Sequence, residues 1–187
     1  MIRSLAILLL MVATPVLAGE TPAPVPFKVG GAFDLTDQHG APRTQVDPDG
    51  HAQLLFFGYV NCPGICTTAL PMMADVTDRL AERNITVRPV MITVDPSRDK
   101  VGTMTRALAK LHPDFIGLTG DETALARAYS AFSVRRKLAF EDPEYGPVYA
   151  HGSFVYLLDA SGTVLTLFPP VQDPGHVAKV AAGYLGG

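Results

Sequence analysis

The sequence predicts an α/β domain built on a central mixed sheet that is flanked by helices and preceded by an N-terminal β-hairpin. Continuous apolar runs of strand length alternate with segments whose apolar residues follow a helical period, and the chain ends in a hairpin and a helix. Two cysteines stand where the first central strand meets the first long helix. Together these observations are typical of the thioredoxin-like fold.

Each predicted element follows from a local pattern. A hairpin is predicted around 33–40, where Phe33 and Leu35 precede a turn of polar residues and glycine. The continuous apolar run over 52–60 is typical of a strand buried on both faces. Apolar residues at helical spacing predict a helix over 67–83. The same criteria predict strands at 85–94, 115–118, 154–158 and 163–168, and helices at 101–111, 122–132 and 175–185.

The composition of the 187-residue chain excludes several classes of protein. Hydrophobic residues make up 48% and charged residues 18%, which supports a packed core and argues against disorder. Fifteen Lys plus Arg against 18 Asp plus Glu give a net charge of −3, with no block of basic residues. No nucleic-acid partner is expected, because binding to phosphates needs a cationic face.

The first 18 residues have the layout of a secretory signal peptide. Arg3 supplies a positive charge, an apolar run covers 5–13, and small residues at 16 and 18 suit cleavage after Ala18. An uncleaved membrane anchor is the alternative, although the run is shorter than the roughly 20 residues of a spanning helix. We therefore expect a periplasmic protein with a signal peptide over 1–18, a Pro-rich tether over 19–26 and one folded domain over 27–187.

Cys62 and Cys66, the two cysteines of the chain, form the most informative pattern in the sequence. The start of a helix lowers the pKa of a cysteine, because the helix dipole and unpaired N–H groups favour the thiolate. Pro63 suits the first position of such a helix. Spacing i, i+4 on one helix face would bring the two side chains within about 6 Å. This pattern favours a redox disulfide or two sulfurs on one metal ion over an inert buried pair or a structural disulfide.

A metal site with two sulfurs needs a third ligand, and His151 is the best candidate among the five histidines. It lies in the predicted loop immediately before the strand at 154–158, which faces the cysteine helix in a thioredoxin-like fold. A solvated loop histidine is the alternative interpretation. The other four histidines lie in polar turns or at predicted helix ends: His39, His51, His112 and His176.

Several segments of the chain together resemble the Sco/SenC family in order and spacing. The cysteine pair and the histidine both lie in these segments, which cover 57–66, 94–99, 117–120, 151–153 and 156–162. The resemblance extends over about residues 27–185. Members of this family are thioredoxin-fold copper proteins, membrane-anchored or periplasmic, that help to assemble the binuclear copper centre of cytochrome c oxidase.

The resemblance implies a copper site whose ligands are Cys62, Cys66 and His151. Two thiolates and one imidazole suit copper in either oxidation state, Cu(I) or Cu(II), whereas a structural zinc site usually has a fourth protein ligand. The chain also departs from the family pattern near this site. Family members commonly have Asp at two of these positions and Pro at the third, where this chain has Gly64, Ala150 and Thr67.

Arginines and carboxylates outside the cysteine loop receive a structural interpretation. Asp95, Arg98 and Asp99 match a family motif, and we interpret them as a helix-start cap and ion pairs. A peroxidase would need an arginine close to the thiolate. Three arginines could be considered for that role, and all of them lie outside the cysteine loop: Arg43, Arg79 and Arg98. The sequence therefore does not favour a peroxidase.

The predicted function is an exported copper metallochaperone that delivers copper to cytochrome c oxidase or matures its copper centre. The alternative is a periplasmic thiol–disulfide reductase that acts on the cysteines of an oxidase subunit or of another copper protein. His151 separates the two, because thiol–disulfide exchange does not require an imidazole. The expected partner is the copper-bearing oxidase subunit, with a second periplasmic copper chaperone or a thiol reductant as further candidates. We expect a binding protein rather than an enzyme.

Overall fold

The computed structural model describes residues 25–26 and 28–186. The predicted signal peptide over 1–18 and most of the predicted tether over 19–26 lie outside the described residues. In the described part of the chain, no helix is both long enough and apolar enough to cross a membrane. The domain boundaries and the periplasmic location stay predictions.

The described residues form nine strands and four helices. Most predicted elements are confirmed with ends shifted by a few residues, which is the usual uncertainty of element boundaries. The strands are β1 (Leu35–Asp37), β2 (Pro42–Arg43), β3 (Ala52–Gly58), β4 (Val87–Thr93), β5 (Ile116–Thr119), β6 (Arg136–Asp142), β7 (Gly146–His151), β8 (Val155–Leu158) and β9 (Val164–Phe168). The helices are α1 (Cys66–Ala81), α2 (Thr105–Ala109), α3 (Glu122–Ala131) and α4 (Pro174–Tyr184).

Seven strands form one mixed sheet in the order β2-β1-β5-β4-β3-β8-β9. The three inner strands β3, β4 and β5 are parallel, while β1 and β8 pair with them in the antiparallel sense. Helix α1 packs against β3, β4 and α4. The predicted central mixed sheet with flanking helices and an N-terminal hairpin is confirmed.

The segment before β8 differs from its prediction. We predicted a loop, but β6 and β7 form an antiparallel hairpin that pairs with itself and not with the main sheet. Both strands are half-buried or exposed, and in β6 charged residues flank a short apolar stretch. No run typical of a buried strand is therefore visible in this part of the sequence.

Helix α2 is shorter than predicted. The pattern predicted a helix over 101–111, but α2 covers only Thr105–Ala109. Gly102 has a φ of +83°, which glycine adopts readily and which cannot continue a helix. The Thr103 hydroxyl also accepts a hydrogen bond from the Lys100 N–H at 2.7 Å, so a local turn replaces the first predicted helical turn.

Aromatic side chains pack around the end of β3. The Phe57 ring is fully buried, with its centroid 5.5 Å from that of Phe132, 5.9 Å from that of Tyr129 and 6.0 Å from that of Tyr156. Both tyrosine hydroxyls donate hydrogen bonds to backbone carbonyls, so no polar group of this cluster is left unpaired. This cluster fixes the strand immediately before the turn that leads to the cysteines.

We expect Phe57→Ala to destabilise the protein by about 3–5 kcal/mol, since the substitution leaves a cavity among rings that cannot collapse into it. Phe140→Ala is the matched control, because Phe140 is 55% exposed and its loss should change stability by no more than about 0.5 kcal/mol. Chemical denaturation measures both free energies of unfolding. A cost for Phe57→Ala as small as that of the control would contradict this account of the core.

Candidate metal centre

The three predicted ligands converge from three parts of the fold. Cys62 lies in the turn after β3, Cys66 is the first residue of α1, and His151 is the last residue of β7. Their ligand atoms all lie within 4.8 Å of one another. The Cys66 Sγ and the His151 Nε2 are 3.9 Å apart, and both cysteines are buried. One metal ion could contact all three atoms after small adjustments.

The local basis predicted for the cysteine pair is wrong in one respect. Helix α1 begins at Cys66, so Cys62 and Pro63 precede the helix and the two cysteines do not share a helix face. A chain of turns brings them together instead. The Cys62 N–H donates to the carbonyl of Tyr59 at 3.3 Å, and the Thr67 hydroxyl donates to the carbonyl of Gly64 at 2.8 Å. The expected closeness of the sulfurs is present, although its cause differs.

The backbone engages one ring nitrogen of His151 and leaves the other facing the sulfurs. Its Nδ1 lies 2.9 Å from the carbonyl oxygen of Gly152, so Nδ1–H is the donor there and Nε2 is the nitrogen left to interact with the sulfurs. That Nε2 is the atom facing the Cys66 sulfur. The ring also makes edge contacts with Phe56 and Tyr59, each with centroids 6.0 Å apart. A backbone carbonyl that fixes the tautomer is the usual support of a metal-binding histidine.

The predicted loop position of His151 needs correction. The residue ends a strand and is half-buried, so it is neither a surface side chain nor part of a free loop. The sequence held no signal for this strand. The packing of the imidazole against two aromatic rings therefore comes from tertiary contacts alone.

The two thiols have opposite electrostatic environments. The pKa of Cys62 is lowered to about 4, chiefly by the hydrogen bond from the Cys66 thiol; burial opposes this shift, and His151 and the N–H groups of Cys66 and Gly64 add to it. The pKa of Cys66 is raised, because its proton is held by Cys62, its thiol is buried and the neighbouring thiolate is negative. The lowered pKa expected from a helix terminus thus belongs to Cys62, which stands outside the helix.

Two substituted family positions near the site are open to solvent. A Cβ atom added at Gly64 would meet nothing within 4 Å, and Ala150 is exposed. Carboxylates at these positions would therefore lie at the rim of the site. Their absence changes the charge around the ligands and leaves the Cys-Cys-His group complete.

A second group with ligand-type side chains has other partners. The ligand atoms of Asp47, Asp49 and His51 are also close together. Arg43 contacts the Asp47 carboxylate at 3.4 Å, and Arg88 contacts the Asp49 carboxylate at 3.3 Å. Because these carboxylates are already neutralised by arginines, the group is an ion-pair network. Sequence reasoning did not identify it, since Arg88 comes from a distant part of the chain.

An apolar groove of about 410 Å³ lies beside the sulfurs. Cys62 and Cys66 form part of its wall, and Lys110 contributes a charge. Most of the remainder is formed by apolar side chains of the turn after β3, of α1 and of the α2 region: Val60, Leu70, Pro71, Leu108 and Leu111. The two thiols can therefore be approached from this side without opening the core.

Comparison with known proteins gives consistent matches. The SCO1/SenC family model matches residues 22–186. An SCO2-like protein of Rickettsia felis is 36% identical over 159 residues, covering 83% of this chain and 77% of the relative. The mitochondrial SCO2 homologue of Mus musculus is 37% identical over 134 residues, and the match spans about half (52%) of that longer protein.

Solved structures with copper bound share the fold. ScoI of Bradyrhizobium japonicum with copper bound superimposes with a TM-score of 0.72 at 30% identity, covering 83% of this chain and 99% of that one. ScoI of Arabidopsis thaliana with copper bound superimposes with a TM-score of 0.78 at 26% identity, covering 85% and 99% of the two chains. These likenesses confirm the predicted thioredoxin-like fold.

The lowered pKa of Cys62 predicts an unusual pH dependence of its reactivity. With a pKa of about 4, Cys62 stays a thiolate throughout pH 6–8, so its rate of modification by iodoacetamide should hardly change over that range. An ordinary cysteine, with a pKa of about 8.5, would react about tenfold faster per pH unit.

Cys62→Ser is the control, because it leaves the buried Cys66 thiol as the single target. Its reaction should be slow at pH 6 and should accelerate as the pH rises. Stopped reactions analysed by mass spectrometry measure both rates. A wild-type rate that climbs with pH like that of a free thiol would contradict the assigned thiolate.

Proposed function

We propose that this chain, which belongs to the SCO1/SenC family, binds one copper ion through Cys62, Cys66 and His151 and delivers it to the copper-bearing subunit of cytochrome c oxidase. Proteins of this family bind copper and are linked to cytochrome c oxidase assembly. The observation that carries the proposal is the convergence of two sulfurs and one imidazole nitrogen within 4.8 Å.

The donor set supports copper over other metals. Thiolates are soft ligands that favour Cu(I), and the imidazole adds a nitrogen donor that Cu(II) prefers. In the described residues, no carboxylate joins the Cys-Cys-His group, so the hard oxygen ligands that magnesium and calcium need are missing from it. Three protein ligands also fall one short of the usual structural zinc site.

Delivery requires that copper can leave as well as bind. A three-ligand site lets an incoming ligand of the recipient attach before the last ligand of the carrier is lost. The groove beside the sulfurs supports this route, because Cys62 and Cys66 form part of its wall. The ion would then pass directly between proteins without release to solvent.

Thiol–disulfide exchange is the second candidate function, and the lowered pKa of Cys62 favours it. The Cys62 thiolate would attack a disulfide of the recipient, form a mixed disulfide and expel one recipient thiolate. Cys66 would then lose its proton and attack Cys62, releasing the second thiolate and leaving this chain oxidised. The recipient gains two electrons, and a thiol reductant would have to restore the dithiol.

The periplasm is the proposed location, supported by the signal-like segment over 1–18. In an oxidising compartment the Cys62–Cys66 pair can exist as a dithiol or as a disulfide. Copper loading would require the dithiol, since a disulfide sulfur is a poor ligand compared with a thiolate.

The His151→Ala variant tests the ligand assignment. Cu(II) binding should weaken by about 10-fold or more, while Cu(I) binding should weaken less because the softer ion remains held by two sulfurs. Competition titrations of the reduced protein measure both affinities. His51→Ala is the matched control, because His51 is another partly buried histidine with a carboxylate partner at 3.0 Å. Cu(II) binding as strong in His151→Ala as in the control would remove His151 from the site.

The same variant separates delivery from reduction. The soluble domain of the oxidase subunit, in its reduced or its oxidised form, can be mixed with the reduced protein, with and without copper. If the main function is delivery, the wild-type protein transfers copper to a reduced recipient and His151→Ala transfers less, while both reduce the oxidised recipient equally. Rapid reduction by both proteins without copper transfer by either would establish the reductase and refute the delivery proposal.

A further inference from the structure

We propose that Arg98 is a positioning residue that holds the strand carrying His151 against the cysteine loop and thereby raises the affinity of the site for Cu(II). The inference rests on the proposed function, because it assumes that His151 is a copper ligand. Arg98 touches none of the three ligand side chains. Its effect would pass through the backbone of the β6–β7 hairpin.

The guanidinium of Arg98 joins two distant parts of the chain. Its Nε donates to the carboxylate of Asp95, which is fully buried. Its Nη1 donates to the carbonyl of Tyr145, and its Nη2 donates to the carbonyl of Pro147 at 2.8 Å. All three hydrogen bonds go to oxygen atoms, and the planar guanidinium holds its N–H donors in a fixed fork. One planar group therefore anchors the beginning of β7 to the segment that follows β4.

The hairpin depends on such anchors. In the described chain, β6 and β7 pair only with each other, and an isolated two-stranded hairpin has little stability of its own. Besides the Arg98 bonds, the Tyr149 N–H donates to the Tyr59 hydroxyl oxygen at 3.2 Å. His151 ends the same strand, so the position of its imidazole follows from these attachments.

The neighbouring Asp99 holds the cysteine side of the site. Its carboxylate accepts hydrogen bonds from the Val60 N–H at 3.1 Å and from the Thr93 hydroxyl at 2.8 Å. Arg98 itself lies over the Tyr59 ring, with its central carbon 5.7 Å from the centroid. Two adjacent residues therefore connect the half of the site that carries sulfur with the half that carries nitrogen.

The hydrogen bonds of Arg98 and Asp99 differ from the helix-start cap that we predicted for this segment. No helix begins at Asp95, since α2 starts at Thr105. The predicted ion pair between Asp95 and Arg98 is present, but the remaining guanidinium donors go to the hairpin. The sequence shows an arginine between two carboxylates. The carbonyl groups that this arginine binds could not be predicted, because they lie almost 50 residues further along the chain.

The effect should differ between the two copper ions. Loosening the hairpin would move the imidazole and leave both sulfurs in place, so binding of Cu(II) should suffer more than binding of Cu(I). Loss of an outer partner of a metal ligand typically lowers metal affinity about 10–100-fold. We expect Arg98→Gln to weaken Cu(II) binding within this range and to change Cu(I) binding by less than about threefold.

Arg98→Lys gives an intermediate case, because an ammonium keeps the charge but cannot reproduce the planar fork. Its Cu(II) affinity should lie between those of wild type and Arg98→Gln. Arg88→Gln is the matched control. The Arg88 side chain is 18% exposed, against 25% for Arg98, and pairs with Asp49 and Asp114 away from the site. The control should bind both ions as wild type does.

A double-mutant cycle with His151→Ala tests the route of the effect. If Arg98 acts through His151, adding Arg98→Gln to His151→Ala should cause no further loss of Cu(II) affinity. The nitrogen hyperfine pattern in the Cu(II) spin-resonance spectrum should also be weakened or heterogeneous in Arg98→Gln alone. If Arg98→Gln does not fold, Arg98→Lys takes its place in the cycle.

The outcomes are distinguishable. Two results would overturn the positioning role and leave the ligand assignment intact. One is a double variant in which the two losses of Cu(II) affinity add. The other is normal Cu(II) binding by Arg98→Gln while His151→Ala is impaired. Normal Cu(II) binding by His151→Ala would overturn the ligand assignment, and the positioning role with it.

Discussion

Strand β3 pairs in parallel with β4 on one side and antiparallel with β8 on the other, and all seven of its residues are buried. This fully buried central strand determines where the cysteine turn begins. Its last residue is Gly58, where an added Cβ would lie 2.6 Å from the Phe56 ring and 3.1 Å from the Cys66 sulfur. The close approach of backbone and sulfur requires glycine. The packing of the sheet and the position of the Cys66 sulfur therefore depend on the same close contact.

The electrostatics of the site follow from that burial. A buried thiolate without partners would be strongly unfavourable, yet the Cys62 sulfur receives hydrogen bonds from Cys66 and from backbone N–H groups. The proton that remains on Cys66 must be released when a metal binds to both sulfurs. A metal ion bound by both sulfurs would therefore take the place of a proton that already lies between them.

The two halves of the site differ in how firmly they are built. The sulfurs belong to the turn and helix that follow the central strand, whereas the imidazole belongs to a hairpin that pairs outside the main sheet. Under the proposed function, this division would allow the nitrogen ligand to be tuned through a few hydrogen bonds without disturbing the core. The same hydrogen bonds explain why an arginine that touches no ligand can matter to the metal.

The sequence by itself predicted the fold class and singled out Cys62, Cys66 and His151 as candidate ligands, because residue type, helical and strand periods and short spacings are local properties. It missed the hairpin over 136–151, whose strands are too exposed to show an apolar pattern. Only the tertiary structure decided that Cys62 precedes the helix, that Nδ1 of His151 is bound to a carbonyl while Nε2 faces the sulfurs, and that Arg98 reaches the hairpin. Those features depend on contacts between residues 47 and 49 positions apart, or on backbone atoms that no side-chain pattern encodes. Local sequence patterns indicate the candidate ligands, whereas long-range packing sets the distances between them.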